Sequence, residues 1–369
     1  MARQFTNIRT LSTILIIAVT TATTTVVFSD DTKPIDADKS QVSTWFNNNL
    51  EGDLKTRLDP QLAEAEQGPV KIITVMKNGG GDFKTITEAI NSIPNGNTKR
   101  VVVKIDGGVY NEKIKIERTK PFITLYGLPN NMPNLTYAGT ALQYGTVDSA
   151  TLIVESDYFV AVNLNIVNTA PRPDGKRKGA QALALRISGD KAAFYNCKLF
   201  GFQDTICDDK GKHLFMNCYI EGTVDFIFGN GKSLYVNTTI HVLVEEGFTV
   251  ITAHARQSPS EDTGYVFVHC SITGTGNGTF LGRAWMTGPR VIFAYTSMDN
   301  IVNPAGWTNN FHPERESTVY FGEFKNTGPG SDPKTRVKFV KQLSDAEVKP
   351  FISLGYIEGS KWLLPPPKL

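Results

Sequence analysis

A chain of 369 residues, 40% hydrophobic and 20% charged with a formal net charge of +2, has the composition of a soluble globular protein and room for one large domain. The near balance of 38 basic and 36 acidic residues excludes a nucleic-acid binder, which needs a strong basic excess. Four cysteines are too few for a disulfide-built scaffold of this length.

In chain order, Arg3 and Arg9 precede a mostly apolar, acid-free run from Leu11 to Phe28 that ends at Ser29. This is the pattern of a secretory signal peptide over residues 1–29. Its removal takes two of the 38 basic residues and none of the 36 acidic ones, leaving no net charge. No later run is long and apolar enough to span a bilayer, so no membrane partner is expected. Residues 30–68 are polar and read as an N-terminal arm, with a helix around Val42 to Leu54 whose Trp45 and Phe46 pack on the body. The compact domain, residues 69–369, opens with a strand KIITV, a turn at Gly79 to Gly81 and a helix FKTITEAINSI that stops before Pro94. The glycines precede no GxxxxGK[ST], so they make a turn rather than a phosphate loop. From Arg100 onward short strands recur (RVVVKI, ITLYG, AAFYNCKLFG, HLFMNCYIEG, RVIFAYTSM) without alternating helices, which argues against a doubly wound α/β fold. A helix over Ser344 to Ile352 and a segment ending LLPPP close the chain, the latter packing back across the strands.

The stretch from Phe194 to Gly229 contains one pattern written twice. Phe194 answers Phe215, Asn196 Asn217, Cys197 Cys218, Leu199 Ile220, Gly201 Gly222, Asp204 Asp225 and Ile206 Ile227, always 21 residues apart. Such a period, built from short alternating apolar runs, marks an all-β right-handed parallel β-helix, here with short flanking helices. Coils lie about 4.8 Å apart, so Asp204 and Asp225 should be near neighbours. Two carboxyls that close titrate apart, one becoming an acid and the other a base or nucleophile. The plainer reading is that each coil needs a turn residue there, but the flanking Phe202, Ile206, Phe226, Ile227 and Phe228 are unlike the small polar neighbours of turn aspartates. Cys197 and Cys218, in matching positions, should face the core, although secretion leaves a disulfide open. No CxxC or HExxH spacing offers a metal site, and no cofactor is expected. N-glycosylation triplets occur at Asn134, Asn237 and Asn277, with attachment at Asn237 hindered by its strand.

Five segments, GVYNE (Gly108 to Glu112), QALALR (Gln181 to Arg186), GFQDT (Gly201 to Thr205), GTVDFIFG (Gly222 to Gly229) and LGRAW (Leu281 to Trp285), resemble, in order, the motifs of plant pectin methylesterases. The resemblance covers the region from 69 to 369. It implies a pectin-lyase-like β-helix that hydrolyses the methyl esters of homogalacturonan in the cell wall. It further implies that Asp225 is the nucleophile, Asp204 the proton donor and later base, and Gln181 and Gln203 the amide donors to the oxyanion. Arg283, Trp285 and Thr146 match positions that hold the nucleophile or the sugar, and Trp307 is a further candidate sugar platform. Partners implied are the polysaccharide itself and a proteinaceous inhibitor, with the enzyme a monomer. Ala284 departs from the family's usual proline, the connection PRPDGKRKG (Pro171 to Gly179) is longer and more basic, and residues 30–68 are too few for the inhibitor-like pro-region of many members. The chain is thus similar to the short, pollen-type enzymes.

Each residue also has a plainer use. Gln181 and Gln203 could satisfy turn backbone, Arg283 could be a structural ion pair, and Trp285 and Trp307 could be core. Among rival functions, Asp208 and Asp209 suggest a polygalacturonase pair, but the histidine and RxK motifs of that family are missing. A lyase needs a calcium cluster of acids, a serine hydrolase a GxSxG that does not occur, and a wall-binding protein on a degenerate scaffold would not keep every polar group of the motifs.

Overall fold

The computed structural model describes residues 31–244 and 247–369; the expected signal peptide lies outside them. The strands form three parallel sheets, one of eleven strands and two of eight. Except at the two ends of the eleven-stranded sheet, neighbours within a sheet lie three strands apart in sequence, so each coil gives one strand to each sheet. This is the right-handed parallel β-helix. The 21-residue repeat is its hydrogen-bond register: Phe194 pairs with Phe215, Leu199 with Ile220 and Ile206 with Ile227.

Inside the coils, like side chains stack on like. The rings of Phe194, Phe215, Tyr235, Phe267 and Phe293 follow one another with centroids 4.5 or 4.6 Å apart, and each ring removed from water contributes about 1.5–3 kcal/mol. Cys197, Cys218 and Cys270 are buried beside this stack as free thiols, as expected for the first two. Runs that read as single strands are broken in two. Ala192–Tyr195 belongs to the eleven-stranded sheet and Lys198–Phe200 to another, because Asn196 between them is left-handed (φ 50°). Asn163, Asn217 and Asn237 repeat this corner, a conformation asparagine tolerates better than most residues. Their amides also bond along the stack, Asn196 Nδ2 to Asn163 Oδ1 at 2.8 Å and Asn237 Nδ2 to Asn217 Oδ1 at 2.7 Å.

Short helices cover the outer face of the eleven-stranded sheet. The first is Val42–Asn49, ending before the expected Leu54; Asp53 caps a new one at Leu54–Arg57, and Pro60–Ala65 follows. Ile35, Trp45, Phe46 and Leu62 pack there against Tyr195, Leu214 and Val266. The C-terminal segment returns across the same face, the Tyr195 hydroxyl donating to the Leu364 carbonyl at 2.9 Å. The helix after Gly81 is Ile86–Asn91, with a capping box of Thr85 and Glu88. Glu112 of GVYNE serves it too, accepting from the amides of Ile86 and Thr87 at 3.0 and 2.9 Å; that motif is structural. No helix among the described residues is long and apolar enough to cross a membrane.

Candidate active site

The eight-stranded sheet from Ile114–Ile116 to Trp307–Thr308 carries the candidate residues at successive coils. Gln181 precedes the strand Leu185–Ile187, Gln203 and Asp204 precede Ile206–Asp208, Asp225 lies in Val224–Gly229, and Arg283 ends Phe280–Arg283. Both aspartates are left-handed, with φ 65° and 49°. Each coil thus turns at its aspartate, as the plainer reading of the repeat expects, and the same corner sets the two carboxyls on adjacent coils. Gly222 has to be glycine for this corner to close, since a Cβ there would meet Phe226 Cβ at 2.2 Å. The two corners are stitched together, the Asp204 amide donating to the Val224 carbonyl at 3.0 Å.

Asp204 and Asp225 are 8% and 6% exposed, yet among the described residues only Asp225 has a cationic partner. Arg283 grips Asp225 with both arms of its fork, Nε to Oδ1 at 2.7 Å and Nη2 to Oδ2, the strong bidentate form of such a pair. Burial pushes the Asp204 carboxyl well above the ordinary carboxylate range and the charge of Asp225 pushes it further, against a weaker pull from Arg283. Burial also raises Asp225, but there the hydrogen bonds and charge of Arg283 oppose it. Of the two carboxyls, Asp204 is therefore the one whose surroundings favour the proton, and Asp225 the one whose surroundings favour the charge.

Gln181 and Gln203 lie on adjacent coils, the Ala182 amide donating to the Gln203 carbonyl at 3.3 Å. Both are partly exposed, and their side-chain amides have no hydrogen-bond partner among the described residues, so they are not ladder amides spent on turn backbone. Trp285 is half-buried and meets Phe228 edge-on at 6.2 Å. Arg315 braces its turn, donating to the carbonyls of Ala284 and Trp285 at 2.8 and 2.6 Å. Ala284 replaces the family's proline without loosening this turn: its amide donates to the Thr308 carbonyl at 3.0 Å, a bond proline cannot make. Thr146 sits one coil before Gln181, its carbonyl accepting from Ser149 Oγ at 2.7 Å while Ser149 Oγ accepts from the Leu183 amide at 3.1 Å.

Trp307 corrects the expectation placed on it. It is fully buried, stacked on Phe321 at 4.3 Å with its indole N–H donating to Glu323 at 3.0 Å. A ring inside the aromatic stack has no face left for a sugar. Asp208 likewise points inward, to His213 at 2.6 Å, while Asp209 faces Arg186 at 3.6 Å, so the two cannot form a catalytic pair. Asn310 was not foreseen: its Oδ1 accepts from Arg283 Nη1 at 3.0 Å. Nothing in its local sequence links it to a residue 27 positions earlier, although the Asn309-Asn310 pair signals a turn.

The pectinesterase family profile matches residues 72–360. The chain is 57% identical over 357 residues to "Putative pectinesterase 63" of Arabidopsis thaliana, covering 97% of this chain and 98% of that one. It is 58% identical over 344 residues to "Pectinesterase 2" of Olea europaea, covering 92% and 93%. Among solved structures, a pectin methylesterase from carrot superposes with a TM-score of 0.73 at 32% identity, covering 80% of this chain and 95% of that one. With the fold, the stacked carboxyls and the extent of these matches in agreement, the chain belongs to the pectinesterase family.

Proposed function

We infer that this enzyme, an esterase of pectin, removes methyl esters from homogalacturonan through a covalent intermediate on Asp225. The observation that carries the reading is the asymmetry of the pair: two buried carboxyls one coil apart, of which Arg283 holds only Asp225. An ionised Asp225 oxygen attacks the ester carbonyl carbon. The tetrahedral oxyanion receives hydrogen bonds from the free amides of Gln181 and Gln203, each such donor contributing about 3 kcal/mol to transition-state stabilisation. As the intermediate collapses, the carbon–methoxyl bond breaks and Asp204 gives its proton to the leaving oxygen, forming methanol. Water then attacks the acyl-enzyme, Asp204 takes its proton, and Asp225 is released as a carboxylate. Trp285 packs against the sugar being processed, and Thr146 contributes at the far side of Gln181.

The test separates the two aspartates. Asp225→Asn is expected to abolish turnover of every ester, because its amide cannot form the acyl-enzyme. Asp204→Asn should lose only proton transfer, a factor of about 10²–10⁴. An activated galacturonate ester, whose leaving group departs unprotonated, should restore an initial burst in Asp204→Asn alone. A burst from Asp225→Asn and none from Asp204→Asn would reverse the roles; equal bursts would mean that water attacks directly.

The same reading carries finer expectations. Action on wall pectin accords with secretion to the apoplast, with a single chain as the working unit and a protein inhibitor as a further partner. Sizing of the secreted protein, alone and with such an inhibitor, checks all three.

A further inference from the structure

The turn that follows the buried Trp307 presents an aromatic ring to solvent at a conformational cost. Asn310 and Phe311 are consecutive and both left-handed, with φ 56° and 62°, which for a bulky aromatic residue is an outlier. Strain of this kind persists only where the surroundings over-determine it, and they do. The amides of Asn310 and Phe311 donate to Thr308 Oγ1 and Asn309 Oδ1 at 3.2 and 3.1 Å, and Asn309 Nδ2 reaches Glu316 Oε1 at 2.7 Å. The rigid turn so made leaves Phe311 97% exposed, whereas the next most exposed large apolar side chain among the described residues, Leu142, is 76% exposed. Its location is set by its neighbour: Asn310 bonds Arg283, which bonds Asp225, and the two Cα atoms are only about 3.8 Å apart.

We propose that Phe311 is a sugar-stacking platform beside the Asp204–Asp225 pair, lying against the C–H face of a galacturonate ring next to the one being de-esterified, and that Asn310 is the positioning residue joining this platform to Arg283. The proposal rests on the esterase reading above. A ring so placed recovers in binding what it loses by standing in water, since an exposed aromatic face is covered only when the polysaccharide arrives. Holding it in a strained turn removes the ordering cost that a flexible side chain would meet on binding.

The experiment measures methanol release from highly methylated homogalacturonan by the wild type, Phe311→Ala, Phe311→Trp and Phe311→Gly. Phe311→Ala is expected to raise KM about five- to tenfold with kcat within about twofold, the signature of lost uniform binding, and Phe311→Trp to restore it. Phe311→Gly should bind as poorly as the alanine variant yet melt at a higher temperature than the wild type, because glycine adopts this backbone without strain. Asn310→Ala should lower kcat and move the acid limb of the pH profile upward, because a looser Arg283 keeps Asp225 charged less well. An unchanged KM in Phe311→Ala beside an active wild type overturns the platform, and an unmoved acid limb removes Asn310. Absence of methanol from the wild type would sink the esterase reading instead. The platform would then be judged by retardation in a gel containing the polymer, where equal mobility of the wild type and Phe311→Ala overturns it as well.

Discussion

Asp204 and Asp225 are the same residue in nearly the same backbone conformation, and their chemistry differs only through what surrounds them. A carboxyl whose folded pKa is raised makes the folded state the better proton binder, so stability present below about pH 3.9 is lost as pH rises toward the folded value. Asp204 is such a group. Asp204→Asn cannot ionise and escapes that loss, so it should melt above the wild type at pH 7, with the gap closing at pH 3.5; each unit of pKa shift corresponds to about 1.4 kcal/mol. A gap of equal size at both pH values would show that ionisation of Asp204 is not its cause. The pair was legible in the sequence because the 21-residue repeat is itself the register of the sheet. Trp307 was misread because inward and outward positions alternate, and a motif beside a turn does not show which way its ring faces. Asn310 was invisible because its bond to Arg283 crosses one coil boundary and has no repeating partner elsewhere.

At the scale of elements, the β-helix could be read from its strands, but its corners could not. A run such as AAFYNCKLFG has uninterrupted β character, and only the left-handed Asn196 divides it. The basic connection Pro171 to Gly179 poses a different question, since its length says nothing of where it lies. Its Arg172 stacks over the ring of Phe202 at 5.7 Å, and Gly179 accepts from the Leu142 amide at 2.9 Å. Both ends thus sit beside Gln203 and Gln181. Arg177 pairs with Asp174 at 3.1 Å, and Lys176 and Lys178 are exposed. Exposed charges act by steering and are screened by salt. Neutralising Arg172, Lys176, Arg177 and Lys178 together should raise KM for partly demethylated polymer by about tenfold at low ionic strength and flatten its dependence on salt. Kinetics that do not change at low salt would leave this connection a solvated insertion.

Considered as one molecule, the β-helix keeps an ionic group inside its hydrocarbon interior. His213 and Asp208 are both fully buried; Asp208 also accepts from the Tyr235 hydroxyl at 2.7 Å, and His213 Nε2 meets the Gly189 carbonyl at 2.9 Å. Burial alone would lower the His213 pKa, but the charge and hydrogen bond of Asp208 prevail and raise it. The stability this pair contributes is therefore complete below about pH 6.5 and lost as pH rises through the folded value. His213→Phe leaves Asp208 without its cation and should cost about 3–5 kcal/mol. It should also erase the alkaline fall in melting temperature expected of the wild type; a fall that survives the substitution would assign it to another group.

Because one aspartate stands a single coil above the other, the gap between the proposed acid and the proposed nucleophile is a rung of the ladder, about 4.8 Å, and can change only by whole rungs. The solenoid is a ruler whose graduations are backbone hydrogen bonds. A coil duplicated or deleted near either end would leave the reading unaltered, whereas one inserted between Gly211 and Gly222 would double it and silence the enzyme whatever its side chains. Length is thus free to drift in this architecture while reactivity is pinned to a single interval.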